Sequence, residues 1–86
     1  MGKNKKHGNN FNLVGKNIKK FRKNSNITQE ALCARMQTLG FQISRSDISK
    51  IETSKKFITD YELYGFSLAL KVPISDFFED ITFDLL

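Results

Sequence analysis

The chain has 86 residues, one cysteine, one histidine and a formal charge of +5. This length allows one domain, and a single cysteine with a single histidine can form neither an internal disulfide nor a zinc site, so no metal or other cofactor is expected. No apolar run approaches the roughly 20 residues of a membrane-spanning helix and no signal-peptide pattern opens the chain, so the expectation is a cytoplasmic protein with no membrane partner.

The charge is polarised along the sequence. Residues 1–59 hold thirteen Lys and Arg against Glu30, Asp47 and Glu52, whereas residues 60–86 hold only Lys71 against six acids. One end of the molecule therefore suits a polyanion and the other repels it.

In chain order, MGKNKKHGNN has no apolar residue after Met1 and is rich in Lys, Asn and Gly. It predicts a basic arm over 1–10 that is disordered or orders on a partner. His7 has no special role there, and Gly2 lacks the downstream hydroxyl residue of an acylation signal. Residues 11–80 read as the folded domain and 81–86 as a tail.

The folded part reads as all-α, with five helices. An Ile before a hydroxyl residue recurs at Ile27-Thr28, Ile43-Ser44, Ile58-Thr59 and Ile74-Ser75. The hydroxyl can cap the free amides of a helix start. In the first three cases Leu32, Ile48 and Leu63 stand where the Ile can staple onto the first turn, and Asp47 and Glu62 complete capping boxes.

Helix one is predicted over 13–24, with Val14, Ile18 and Phe21 on one face and Lys16, Lys19, Lys20 and Lys23 on the other. Helix two starts at Thr28, with Ala31, Leu32, Met36 and Leu39 in one stripe and Gly40 as its stop. Cys33, among Ala31, Leu32 and Ala34, reads as a small buried residue. Helix three is predicted over 45–53, and helix four over 60–71 with Leu63, Phe66, Ser67 and Leu70 inward. Pro73 breaks the chain before a short fifth helix, 76–80, anchored by Phe77 and Phe78. Tyr61 and Tyr64 read as core or rim packing.

Helix three carries the most informative pattern. At about 100° per residue, Arg45, Ser46, Ser49 and Lys50 share an arc of roughly 140°, while Ile48 and Ile51 point the opposite way. A helix docked by its isoleucines would present those four side chains together. The DNA major groove admits such a helix, N-terminal residues first. Arg45 can make a two-point contact with guanine, Ser46 and Ser49 can donate to or accept from several bases, and Lys50 can reach a base or a phosphate. Asp47 reads as the cap partner of Ser44. Phosphate contacts are expected at the edges: Gln29, where the amides opening helix two favour an anion, Lys55 and Lys56 after helix three, and Lys19 and Lys23 on helix one.

The segments IKKFRKNSNITQEAL, ISRSDISKIE and DYELYGFSLALKVPISDFFE together resemble a phage-repressor-like helix-turn-helix domain of the XRE family, over about three quarters of the chain. The resemblance implies a lambda-repressor-like five-helix bundle that binds operator DNA, usually as a homodimer. It implies that Gln29 contacts phosphate and braces Arg45, and that Arg22 pairs with Glu52 to lock helix one to the end of helix three. Two departures stand out. The turn between helices two and three is about five residues longer than in family members, so helix two is expected to gain about a turn before a loop at 40–43. Ser54 and Ile58 stand where the family often has Gly and Pro.

The expected function is sequence-specific DNA binding by a transcriptional regulator, a repressor of phage or mobile-element type or a host homologue. The alternative is a protein-interaction module, such as an antitoxin or anti-repressor, using Phe77, Phe78, Phe83, Leu85 and Leu86. With no glycine-rich phosphate loop, metal-ligand cluster or Ser/His/Asp set, an enzyme is not expected, nor is a small-molecule ligand.

Overall fold

The computed structural model of the chain describes residues 10–81. The basic arm at 1–10, with Gly2 and His7, therefore lies outside the described residues except for Asn10, and so does the tail except for Ile81, with Phe83, Leu85 and Leu86 beyond it. The described chain is all-helical: α1 (Gly15–Asn24), α2 (Gln29–Thr38), α3 (Arg45–Glu52), α4 (Asp60–Leu70) and a 3₁₀ helix (Ile74–Phe78), with no strand among the described residues. None of these helices is long and apolar enough to cross a membrane.

Three of the four Ile-hydroxyl pairs open helices. Thr28 accepts from Ala31 N at 3.0 Å, and Ser44 and Thr59 each form a reciprocal box with Asp47 and Glu62. The fourth does not: Ser75 lies inside the 3₁₀ helix and caps nothing. Proline at 73 sets an extended entry (φ −59°, ψ 142°), and the five residues that follow form a 3₁₀ turn instead of an α-helix at 76–80. The five α-helices expected from the sequence are thus four, plus this turn.

The helix ends share a device that the sequence reading saw only at Gly40. Asn26, Gly40, Ser54 and Lys71 all adopt positive φ, at 59°, 97°, 60° and 58°. After α2, Gly40 N donates to Gln37 O and Phe41 N to Met36 O, the paired bonds of a Schellman turn. Ser54 N to Ile51 O and Lys55 N to Lys50 O repeat the pattern after α3, as do Asn26 N to Lys23 O and Ile27 N to Arg22 O after α1. Ser54 therefore takes the left-handed position that a glycine fills most easily.

The α2 turn also corrects the place of Leu39. It caps the helix and is 48% exposed, outside the Leu32–Met36 stripe. The reversal at Gly40 swings Phe41 into the core in its stead. The Phe41 ring lies against Gly65 of α4, where an added Cβ would stand 2.9 Å from it. Residues 41–44 are further held by Ile43 O, which accepts from the buried Cys33 thiol at 3.3 Å and from Gln37 Nε2 at 3.0 Å.

Helix one starts at Gly15, two residues later than expected, because Asn12 Oδ1 accepts from Gly15 N at 2.6 Å. The buried Asn12 amide also donates to Ile51 O at 3.0 Å and Lys56 O at 2.9 Å. Gly15 lies so close to Ile51 O that no Cβ fits there. Asn17 donates to Phe77 O and Glu79 O, both at 2.8 Å, and pins the 3₁₀ segment to α1. The core within this frame is Val14, Ile18, Leu32, Met36, Ile48, Ile51, Phe66 and Phe77, with Phe41, Ile43, Ala69 and Leu70 around them. Ser67, expected inward, is half-buried and donates to Val72 O at 2.6 Å.

Relief of the left-handed Cβ outweighs glycine's extra chain entropy at position 54. Ser54→Gly is expected to raise stability by about 0.5–1 kcal/mol, and Gly40→Ala to lower it by about 1 kcal/mol or more. Urea midpoints at unchanged slope read both.

Candidate nucleic-acid interface

The Ser44–Asp47 box opens α3: Asp47 N donates to Ser44 Oγ at 3.0 Å, and Ser44 N donates to Asp47 Oδ2 at 3.2 Å. That backbone bond, aided by the Ser44 hydroxyl and by the charges of Lys56 and Lys50, holds the Asp47 carboxyl below its ordinary pKa despite the cost of burial. Asp47 is therefore occupied as the cap partner of Ser44. Behind the helix, Ile48 and Ile51 are wholly buried.

Glu52 fastens the other end. Arg22 Nε donates to Glu52 Oε2 at 2.7 Å and Nη2 to Oε1 at 3.1 Å, a two-point pair with both side chains buried. The remaining Arg22 nitrogen, Nη1, donates to Ile27 O at 2.8 Å. Gln29 Nε2 donates to Glu52 Oε1 at 3.0 Å. The resemblance implied that Gln29 braces Arg45; the structure instead joins Gln29 to Glu52, at the opposite end of α3. Its position as the first residue of α2 is as expected.

With both ends fixed and the isoleucines buried, α3 turns its remaining face outward. Arg45, Ser46 and Lys50 are exposed and Ser49 is half-buried. Their side chains make no hydrogen bond or ion pair among the described residues. Two cations and two hydroxyls thus share one face, with the cap carboxylate of Asp47 in electrostatic reach of Lys50.

The edges are less uniform. Lys55 is exposed and Lys56 half-buried, just past the Ser54 turn. Lys56 and Lys50 both act electrostatically on Asp47. Lys19 is half-buried and Lys23 exposed on α1, which carries Arg22 between them. Lys20 is diverted to Glu79 at 3.2 Å, an exposed pair of little energetic weight.

Two features went unread in the sequence. Phe57, beside Lys55 and Lys56, is 69% exposed, and its ring meets Phe11 edge-on at 5.0 Å. Phe11 N in turn donates to Ser54 O at 2.9 Å, so the loop after α3 is tied to the segment before α1. A phenylalanine directly after two lysines, and another between two asparagines, were the sequence signal, and such a signal is common to surfaces and cores alike. Asn12 and Asn17, the buried organisers, looked like ordinary polar residues. No group of three or more His, Cys, Asp or Glu among the described residues can hold a metal ion. No protein-family model, no curated protein and no solved structure matches the chain.

Removing one partner from a buried ion pair leaves the other charge without compensation. Glu52→Ala is expected to cost about 3–5 kcal/mol in urea unfolding, and Arg22→Met/Glu52→Leu to recover a large part of that loss. The Asp47 cap carries a pH signature. Because its folded pKa is lowered, its contribution is full above its ordinary value of 3.8 and is lost as pH falls through the lower folded value. The stability advantage of the wild type over Asp47→Ala is therefore expected to stay constant from neutral pH down to about pH 5 and to shrink below about pH 4; thermal melts across that range check it.

Proposed function

We propose that this chain is a sequence-specific DNA-binding transcriptional regulator, a repressor of the XRE type, with α2 and α3 as its helix-turn-helix. The observation that carries the reading is the unpaired outer face of α3. Arg45, Ser46, Ser49 and Lys50 stand together on a helix whose inner face and both ends are fully engaged. A preorganised set of this kind costs little side-chain ordering on binding. In the proposed complex α3 enters the major groove with Arg45 leading, and Arg45 reads guanine.

Phosphates are then met by Lys55 and Lys56, by Lys19 and Lys23, and by the amides opening α2 at Gln29. The second proton of the Gln29 amide remains for a phosphate while the first holds Glu52. The acidic residues 60–86 lie toward the other end of the sequence, so the charge asymmetry orients the molecule on a polyanion. The polar, cation-bearing surface at α3 supports DNA over a protein partner for this site, since the cores of protein interfaces are depleted in lysine.

Selection of bound duplexes from a randomised pool, followed by salt titration of the winner, tests this. A consensus half-site and a steep fall of affinity with salt are expected. Arg45→Ala is expected to relax preference at one base position, worth about 1–3 kcal/mol, while Lys55→Ala and Lys56→Ala weaken all sequences alike and each reduce the salt slope by about 1. Absence of enrichment, with weak binding to every duplex, overturns the reading and turns attention to an interaction module.

A further inference from the structure

We propose that Phe11, Phe57, Lys55 and Lys56 form a binding site for single-stranded DNA, in which Phe57 stacks on an unpaired base and the two lysines take the phosphates beside it. The four side chains line one shallow recess at the loop after α3. Phe57 is 69% exposed and Phe11 46%. Their rings meet edge-on at 5.0 Å. An edge-on contact covers at most one face of either ring, so Phe57 keeps a face open to solvent. A ring pair that served only to close the fold would be covered, as in the edge-on contact of Phe21 with the wholly buried Phe77. The backbone beneath the recess is held in place. Phe11 N donates to Ser54 O and Asn12 Nδ2 to Lys56 O, both at 2.9 Å, and Lys55 N donates to Lys50 O at 2.7 Å. Ring and cations therefore stand on a fixed frame, which lowers the cost of ordering them on a ligand.

The chemistry of the recess selects the occupant. Neither lysine side chain makes a hydrogen bond or an ion pair among the described residues, and no acid among them lines the recess. Asp47, in electrostatic reach of Lys56, is bound into the Ser44 cap. The residues before Asn10 add Lys3, Lys5 and Lys6 and, beyond Met1, no apolar side chain that could cover the rings. An open aromatic face among cations is the combination that holds a single strand, base on ring and phosphate on ammonium. A base inside a duplex has its faces taken by its neighbours and is not free to stack. The lining offers rings and donors but no side-chain acceptor for a ribose 2′-hydroxyl, which favours DNA over RNA. Lysine is depleted in the cores of protein interfaces, and two rings on a loop lack the long apolar helix face with which proteins lie on a membrane.

The inference does not rest on the duplex reading, which is carried by the outer face of α3. Lys55 and Lys56 serve both, so Phe57 is the residue that isolates the strand site.

Fluorescence anisotropy of end-labelled strands, titrated with the full chain at about 50 mM salt, tests it. Oligothymidylate of about 12 nucleotides is expected to bind at least about fivefold more tightly than an abasic strand with the same number of phosphates. Phe57→Leu, at an exposed position, is expected to bring oligothymidylate down to the level of the abasic strand with an unchanged circular-dichroism spectrum, and Phe57→Tyr to keep the preference. Lys55→Ala is expected to weaken both strands alike. Oligouridylate is expected to bind no more tightly than oligodeoxyuridylate of the same length. Equal binding of the thymidylate and abasic strands, which needs no variant to observe, overturns the proposal. So does indifference to Phe57→Leu, a clear preference for the ribose strand, or binding of anionic phospholipid vesicles with no binding of strands. A duplex consensus can be found or missed whichever of these results is obtained, so the two failures are distinguishable.

Discussion

The buried pair of Arg22 and Glu52 is the constraint on which the rest of the molecule depends. It joins the last turn of α1 to the last residue of α3, and through Ile27 O and Gln29 it also takes in both sides of the α1–α2 connection. Three helices are thereby referred to one guanidinium. In a low-dielectric site, such a charge pair is strongly directional, and every remaining donor or acceptor must find a partner. Here each of the three Arg22 nitrogens and both Glu52 oxygens are engaged, and no buried side-chain nitrogen or oxygen among the described residues lacks a partner.

An eight-residue helix has no stability of its own in water, so the position of α3 is wholly a product of such fastenings. The capping box holds its first turn, Ile48 and Ile51 hold its middle, and Glu52 and Asn12 hold its end. The close approach of Gly15 to Ile51 O leaves α1 and α3 little room to shift. Rigidity of this kind is what a surface of four short and long polar side chains needs to present one geometry. On the proposed reading, it makes the difference between a basic helix that adheres to DNA and one that reads it.

The two ends of the charge distribution acquire separate roles in the fold. α3 with its cations and α4 with its tyrosines each pack on both α1 and α2. The left-handed turn at Gly40 links the two. By reversing the chain it places Phe41 under Tyr61 and Tyr64, leaves Leu39 beside Leu68, and delivers Ser44 to cap α3. The connection between α2 and α3 is in this way a packed element, with its backbone bonded at Met36, Gln37 and Ile43.

Local chemistry alone determined much of this protein. Thr28, Ser44 and Thr59 each cap a helix with partners three residues away, and the 3.6-residue spacing of Ile48 and Ile51 selects the outer face of α3; such interactions are short in sequence and visible in it. The pairing of Arg22 with Glu52 came from resemblance, since nothing local joins residues thirty positions apart. Tertiary structure decided the rest. Gln29 turned to Glu52 because that carboxylate, already held by Arg22, lies within reach of the first residue of α2. Leu39 lost its place to Phe41 because a Schellman turn brings the residue after glycine, not the one before it, back onto the helix. Ser75 capped nothing because it lies inside the 3₁₀ turn that follows Pro73, a turn that Asn17, sixty residues from Phe77, holds by its carbonyls. In each case two favourable local choices competed, and the one that also satisfied a distant buried group prevailed.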